Sequence, residues 1–282
     1  MPSLKSRKAL TTLIAAFSLA ATLGLAGCSG ANSSATGDLA TLTAGKLTIG
    51  TGQPAYEPWV VNNDPSTGQG FESAVAYAVA GQLGFAKKDV VWVRTTFDEA
   101  IAPGAKNFDI NLQQFSITDA RKKAVDFSSP YYSTTQTVIT LKGSKAYGVT
   151  TLAALKPLVI GAMAGTTSYS AITDVIKPTT QAQAFNSNDD AVAALKSGQI
   201  DALVVDLPTA IYETSADLTD GRIIGQLAGT TQGGDQFGFV LDKGSSLTQK
   251  VSAAVDALKA DGTLAKLEAK WLADYAKAPV LN

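Results

Sequence analysis

Residues 108–132, FDINLQQFSITDARKKAVDFSSPYY, constrain this chain more than any other stretch. The segment opens as a strand, Asp109 to Phe115, then breaks into a turn carrying Ser116 and Thr118, hydroxyl residues of the kind that cap helices. Ser116 and Asp119 have capping-box spacing, although Glu or Gln is the usual partner. Arg121 therefore falls in the first turn of a short helix, just past the carboxyl end of a strand. In open α/β sheets small ligands bind at that place, and a guanidinium there presents a planar fork of donors matched to a carboxylate. The local pattern leaves two readings of Arg121: a grip on the carboxylate of a small solute, or a solvated cation in a basic run with Lys122 and Lys123.

The run SITDARKKAVDFSSPYY resembles the signature of the amino-acid-binding, family 3 solute-binding proteins of ABC importers, and the likeness extends from about Leu47 to Leu272. The resemblance implies an α/β, two-lobed periplasmic-binding-protein-like fold. Each lobe is then a mixed, mostly parallel sheet flanked by helices, and a two-strand hinge joins them. It also implies that Arg121 holds the ligand's α-carboxylate. Lobe 1 is expected over 45–141 plus 237–282, and lobe 2 over 142–236.

The start of the chain reads as an export signal. Lys5, Arg7 and Lys8 form a positive region, and Ala9 to Leu23 is an apolar run too short and wrongly flanked for a membrane span. Leu25-Ala26-Gly27-Cys28 resembles the lipobox of bacterial lipoproteins, which implies a signal peptide over 1–27 and lipidation of Cys28. Cys28 is the only cysteine, so it has no internal disulfide partner; a chance free thiol is the alternative. Lipid chains would hold the protein on the outer side of the cell membrane without a spanning helix. Residues 28–44, rich in Ser, Ala, Thr and Gly, read as a flexible tether.

Removing residues 1–27 takes three of the 23 basic residues and none of the 24 acidic ones, leaving 20 against 24 and a net charge of −4. That balance argues against nucleic acid as a partner. The chain has no histidine. The commonest general base, the Ser–His and Cys–His nucleophile pairs and His-based zinc sites are therefore absent. No cofactor and no metal is expected.

Further along, Lys46–Thr51 reads as a buried strand, followed by the Pro-punctuated loop Gln53-Pro54-Ala55-Tyr56-Glu57-Pro58-Trp59. The resemblance implies that Tyr56 stacks over the ligand, and ordinary packing is the favoured reading of Trp59. Gln53 stands where relatives that bind lysine or arginine often carry an acid, which weighs against a cationic ligand. Phe71, Val75, Val79 and Leu83 share one face of a helix that Gly84 ends. Phe97, opening a helix cut short by Pro103-Gly104, sits at a pocket-lining place in the family. Gln113 and Gln114 replace the small residues usual in relatives. Successive strand residues face opposite ways, so one of the two reaches the ligand; alternation with Ser116 favours Gln114.

Thr135–Leu141 reads as a strand leading out of the first lobe, and Asp235–Leu241 as the strand that returns. In the second lobe a strand leads to Met163, which joins the pocket candidates, and then to Gly165-Thr166-Thr167-Ser168 before a helix from Tyr169 to Ile176, a helix N-terminus suited to an anion. The resemblance implies that this turn, through Thr167 and Ser168, meets the same carboxylate as Arg121 and Ser116. Asp206 ends a buried strand ahead of Pro208, where the family's acid for the α-ammonium lies, with Gln114 nearby; simple helix capping is the alternative. Helices are expected over Leu247–Leu258 and Thr263–Tyr275. The expected function is capture of a small amino acid, neutral and polar from Gln53 and Gln114. Delivery goes to an ABC permease and its ATPase by hinge closure, from a monomer. A dehydratase-like enzyme on the same fold and a sensory surface lipoprotein are the competing readings.

Overall fold

The computed structural model describes residues 39–228, 234–272 and 278–281. The expected signal peptide, Cys28 and most of the tether lie outside these residues.

Two mixed sheets and one short pair account for the named strands among the described residues. The first sheet runs from edge to edge as Val90–Thr95, Leu47–Gly52, Ile110–Asn111, Val240–Asp242 and Val125–Phe127. Its first three strands are parallel, and Val240–Asp242 joins antiparallel to both neighbours. Leu47–Gly52 is buried along its whole length, as an unbroken apolar and small-residue strand at the centre of a covered parallel sheet should be. The helix Phe71–Gln82 packs against it through Phe71, Val75, Ala76 and Val79, with Val251, Val255 and Leu258 of the helix Thr248–Ala260 completing the core. Trp59, Phe71, Tyr132 and Phe237 form an edge-on aromatic cluster in this core, with Trp59 fully buried.

The second sheet runs Val280–Leu281, Gly221–Leu227, Gln136–Leu141, Ala202–Asp206, Ile160–Met163 and Gln183–Phe185. Its two faces carry separate apolar clusters, one around Ile160, Ile172 and Val204, the other around Leu195, Leu203 and Val205. Tyr132–Thr134 and Asp235–Phe237 pair antiparallel between the two lobes, where the chain leaves the first sheet and returns to it.

This topology moves the expected lobe boundary. Gln136–Leu141, assigned to lobe 1 from sequence, pairs with Ala202–Asp206 and Gly221–Leu227 inside the second sheet. The C-terminal strand Val280–Leu281 also joins that sheet, so the chain end crosses back. A β-branched strand buried on both faces belongs where it finds two neighbours, and it finds them in the second sheet.

Other bounds shift for local reasons. The strand expected over Asp109–Phe115 is paired only at Ile110–Asn111, because Gln114 takes a left-handed φ of 51° that takes the chain off the pleat. The Thr118 hydroxyl, not that of Ser116, accepts from the Arg121 backbone N–H at 3.2 Å, and Ala120 holds the cap position of the turn with no side-chain capping bond. The expected return strand Asp235–Leu241 is two strands, Asp235–Phe237 and Val240–Asp242, with Gly238 between them. The helix after Gly165 starts earlier, at Thr167, capped by the Thr166 hydroxyl.

Candidate ligand-binding site

A cavity of about 170 Å³ lies where the carboxyl ends of strands from both sheets face each other. The first lobe contributes Gly52–Tyr56, Thr95–Phe97, Gln113, Gln114, Ser116 and Arg121. The second contributes Met163, Thr166–Ser168, Asn186–Asn188, Val205, Asp206 and Thr209. Among these described lining residues the charged side chains are one guanidinium, Arg121, and one carboxylate, Asp206.

Arg121 rides on a single 3-10 turn, Arg121–Lys123, one step after the short strand of its lobe. Its guanidinium lies 5.1 Å from the centre of the Phe97 ring. Nη1 donates to Ser116 O at 2.8 Å and Nη2 to Gly165 O at 3.0 Å, which uses two of five donors. Burial lowers the Arg121 pKa to about 10, with Asp235, Asp206 and Asp98 pulling against that shift. The group stays cationic at neutral pH, and its desolvation makes an anionic ligand group a strong partner.

Hydroxyls gather beside it. Ser116 Oγ lies 3.1 Å from Thr167 Oγ1 across the cleft, and Ser116 Oγ also donates to Asp235 Oδ2 at 3.4 Å. Ser168 is buried at the head of the second-lobe helix.

Asp206 occupies the N-cap position of the helix Leu207–Tyr212, yet its side chain makes no capping bond. It turns instead to the Nε2 amide of Gln136, which donates to Asp206 Oδ1 at 2.8 Å and to Asp235 Oδ2 at 2.7 Å. Burial and the neighbouring Asp235 push the Asp206 pKa up to about 8, against the Gln136 hydrogen bond and Arg121. A carboxyl so placed is made more acidic by a cation entering the cavity.

The remaining candidates divide. Tyr56, Phe97, Gln53, Gln113, Gln114 and Met163 line the cavity; Phe97 also stacks on Phe115 at 4.8 Å. Gln113 and Gln114 both reach it, because the left-handed turn at Gln114 breaks strand alternation. Gln113 Nε2 is spent on Thr95 Oγ1 at 2.7 Å and Asn111 Oδ1 at 3.2 Å. Trp59 does not line the cavity: it fills the first-lobe core and donates from Nε1 to Thr209 Oγ1 at 3.2 Å, across the lobes. Sequence reasoning missed Gln136, Asp235, Thr209 and the Asn186–Asn188 turn. Gln136 is fully buried at the start of the strand Gln136–Leu141, and no local pattern in the sequence marks it as part of the site.

Two α/β lobes with a cavity between them, lined at the sheets' carboxyl ends by an Arg and an Asp, define a two-lobed solute-binding protein. The sequence pattern of the bacterial extracellular solute-binding proteins, family 3, matches residues 47–274, and the chain belongs to that family. It is similar to the ABC transporter glutamine-binding protein GlnH of Bacillus subtilis (strain 168), 32% identical over 214 residues, covering 74% of this chain and 75% of that protein. It is also similar to the L-arginine-binding protein of Pseudomonas aeruginosa, 28% identical over 225 residues, covering 78% of this chain and 85% of that one. The solved structure of an ancestral arginine-binding protein bound to glutamine matches with a TM-score of 0.67 at 29% identity, over 82% of this chain and 99% of that chain. These homologues are amino-acid-binding proteins.

Proposed function

We propose that this chain captures a small, neutral, polar amino acid outside the cytoplasmic membrane and hands it to an ABC permease and its ATPase when the two lobes close. The observation that carries this reading is the charge of the cavity lining: one guanidinium and one carboxylate among the described residues, matched to the two poles of a zwitterion. No third charged side chain lines the cavity among the described residues. Gln53 and Gln113 from the first lobe and Asn186, Ser187 and Asn188 from the second line the cavity with amides and a hydroxyl instead. In this reading Arg121, Ser116, Thr167 and Ser168 hold the carboxylate. Asp206 and Gln114 hold the ammonium, and Tyr56, Phe97 and Met163 bound the side chain. Charge-assisted bonds at both poles supply affinity, and contacts from both lobes tie closure to occupancy. The protein then acts as a carrier and not as a catalyst, held at the membrane through lipid on Cys28 and working as a monomer.

A thermal-shift screen across the twenty amino acids tests the reading. The largest stabilisation is expected from a neutral polar amino acid; stabilisation by arginine or lysine alone would overturn the ligand class, and none by any amino acid would overturn the function.

A further inference from the structure

Glu72 lies in the first turn of the helix Phe71–Gln82 and is 1% exposed. It has no ion pair among the described residues. A carboxylate is costly to bury, and one that is buried must be well bonded. Glu72 is: Oε1 accepts from the Gln114 backbone N–H at 2.7 Å, Oε2 accepts from Gln114 Nε2 at 2.7 Å, and the Tyr131 hydroxyl also donates to Oε1. Both oxygens of one carboxylate thus grip the main chain and the side chain of a single residue. The positive end of the helix favours the anion in that place.

The gripped residue is unusual. Gln114 holds φ at 51°, a region that residues other than glycine seldom adopt and that costs free energy unless the surroundings enforce it. It also lines the cavity between the lobes. Its backbone N–H and one of its two side-chain N–H donors are turned back to Glu72, and Gln114 keeps its side-chain oxygen as an acceptor, the complement of an ammonium.

We propose that Glu72 is a positioning residue: it clamps Gln114 in the left-handed turn, and through that turn sets the amino pole of the ligand site without touching ligand. The proposal rests on the amino-acid reading given above for its effect on affinity, but the clamp itself is a property of the free protein. Burial and bonding act together here. Burial raises the Glu72 pKa above the ordinary carboxyl value, and the hydrogen bonds from Tyr131 and Gln114 oppose that rise.

The test is a double-mutant cycle in the full chain, read by titration calorimetry with the best amino acid from the thermal-shift screen. Glu72→Gln replaces one acceptor oxygen with a donor facing Gln114 and is expected to weaken binding about tenfold. In a Gln114→Gly background, where glycine takes positive φ without strain, the same change is expected to cost twofold or less. Equal losses in both backgrounds, or no loss in either, overturn the proposal. Glu72→Asp, which keeps the charge but is one methylene too short to span both donors, is expected to behave like Glu72→Gln and serves if that variant does not fold. Amide hydrogen exchange on the ligand-free protein gives an arm independent of the ligand. Gln114 N–H protection is expected to drop at least tenfold in the Glu72 variant, and unchanged protection overturns the clamp even if the chain binds no amino acid.

Discussion

Nη2 of Arg121, in the first lobe, donates to the carbonyl oxygen of Gly165, in the second, at 3.0 Å. One side chain therefore serves both as the cation of the cavity and as a bridge across it. Arg121→Lys keeps the charge but cannot bond Ser116 O, Gly165 O and a ligand carboxylate together, because an ammonium lacks the planar fork. Titration calorimetry is expected to show roughly a tenfold loss for Arg121→Lys. Arg121→Ala is expected to cost about 3 kcal/mol or more, on the order of 100-fold. Equal affinity in the lysine variant would mean that point charge alone suffices.

Asp206 gives the site a pH signature. Its folded pKa of about 8 exceeds the ordinary carboxyl value of about 4, so between those pH values the folded state keeps a proton that the unfolded state has lost. Stability of the ligand-free protein contributed by this group therefore falls as pH rises from about 4 to about 8. Asp206→Asn should raise the ligand-free melting temperature at pH 8, show no gain at pH 4, and weaken amino-acid binding at both. An ammonium entering the site should expel the proton, so calorimetry near pH 7 in buffers of different ionisation enthalpy should report proton release on binding. No release would place the ammonium away from Asp206.

Trp59 and Thr209 join the lobes by a second route, the indole N–H donating to the hydroxyl at 3.2 Å. Thr209→Val keeps the shape and removes the acceptor, orphaning a buried donor when the cleft is shut. Binding is expected to weaken by about 1–2 kcal/mol with little change in ligand-free stability, as read by calorimetry and thermal melts. A large fall in ligand-free stability would make the contact a folding element instead.

Gly70 precedes the helix that carries Glu72, at φ 98° and ψ 156°. A Cβ there would lie 2.4 Å from Trp59 O. Gly70→Ala combines that clash with a backbone region closed to other residues, and a loss of about 2–4 kcal/mol in denaturant unfolding is expected. A loss below about 0.5 kcal/mol would show that the loop yields freely.

The parts of the site that announce themselves in sequence are those set by local chemistry. Arg121, Thr167 and Asp206 each follow a strand and begin a turn or helix, so short motifs reveal them. Asp206 was ambiguous because the N-cap position has a structural use of its own; only the folded geometry shows its side chain turned away from the helix. Glu72, Gln136 and Asp235 were illegible for a different reason. Each is a polar residue whose role depends on distant partners: 42 and 59 residues away for Glu72, and 99 residues apart for Gln136 and Asp235. The fold was legible at the level of two α/β lobes, but the exchange of Gln136–Leu141 into the second sheet depends on which strands find neighbours, and no local pattern states that.

A zwitterion spanning Arg121 and Asp206 is the ligand these two side chains are matched to, and calorimetry with paired analogues checks each pole separately. The wild-type protein is titrated with its best amino acid, with the deaminated acid, and with the carboxamide. Tight binding of the amino acid is expected, with at least a 100-fold loss for each analogue, corresponding to about 3 kcal/mol or more per pole. Binding of either analogue as tightly as the amino acid would contradict that match.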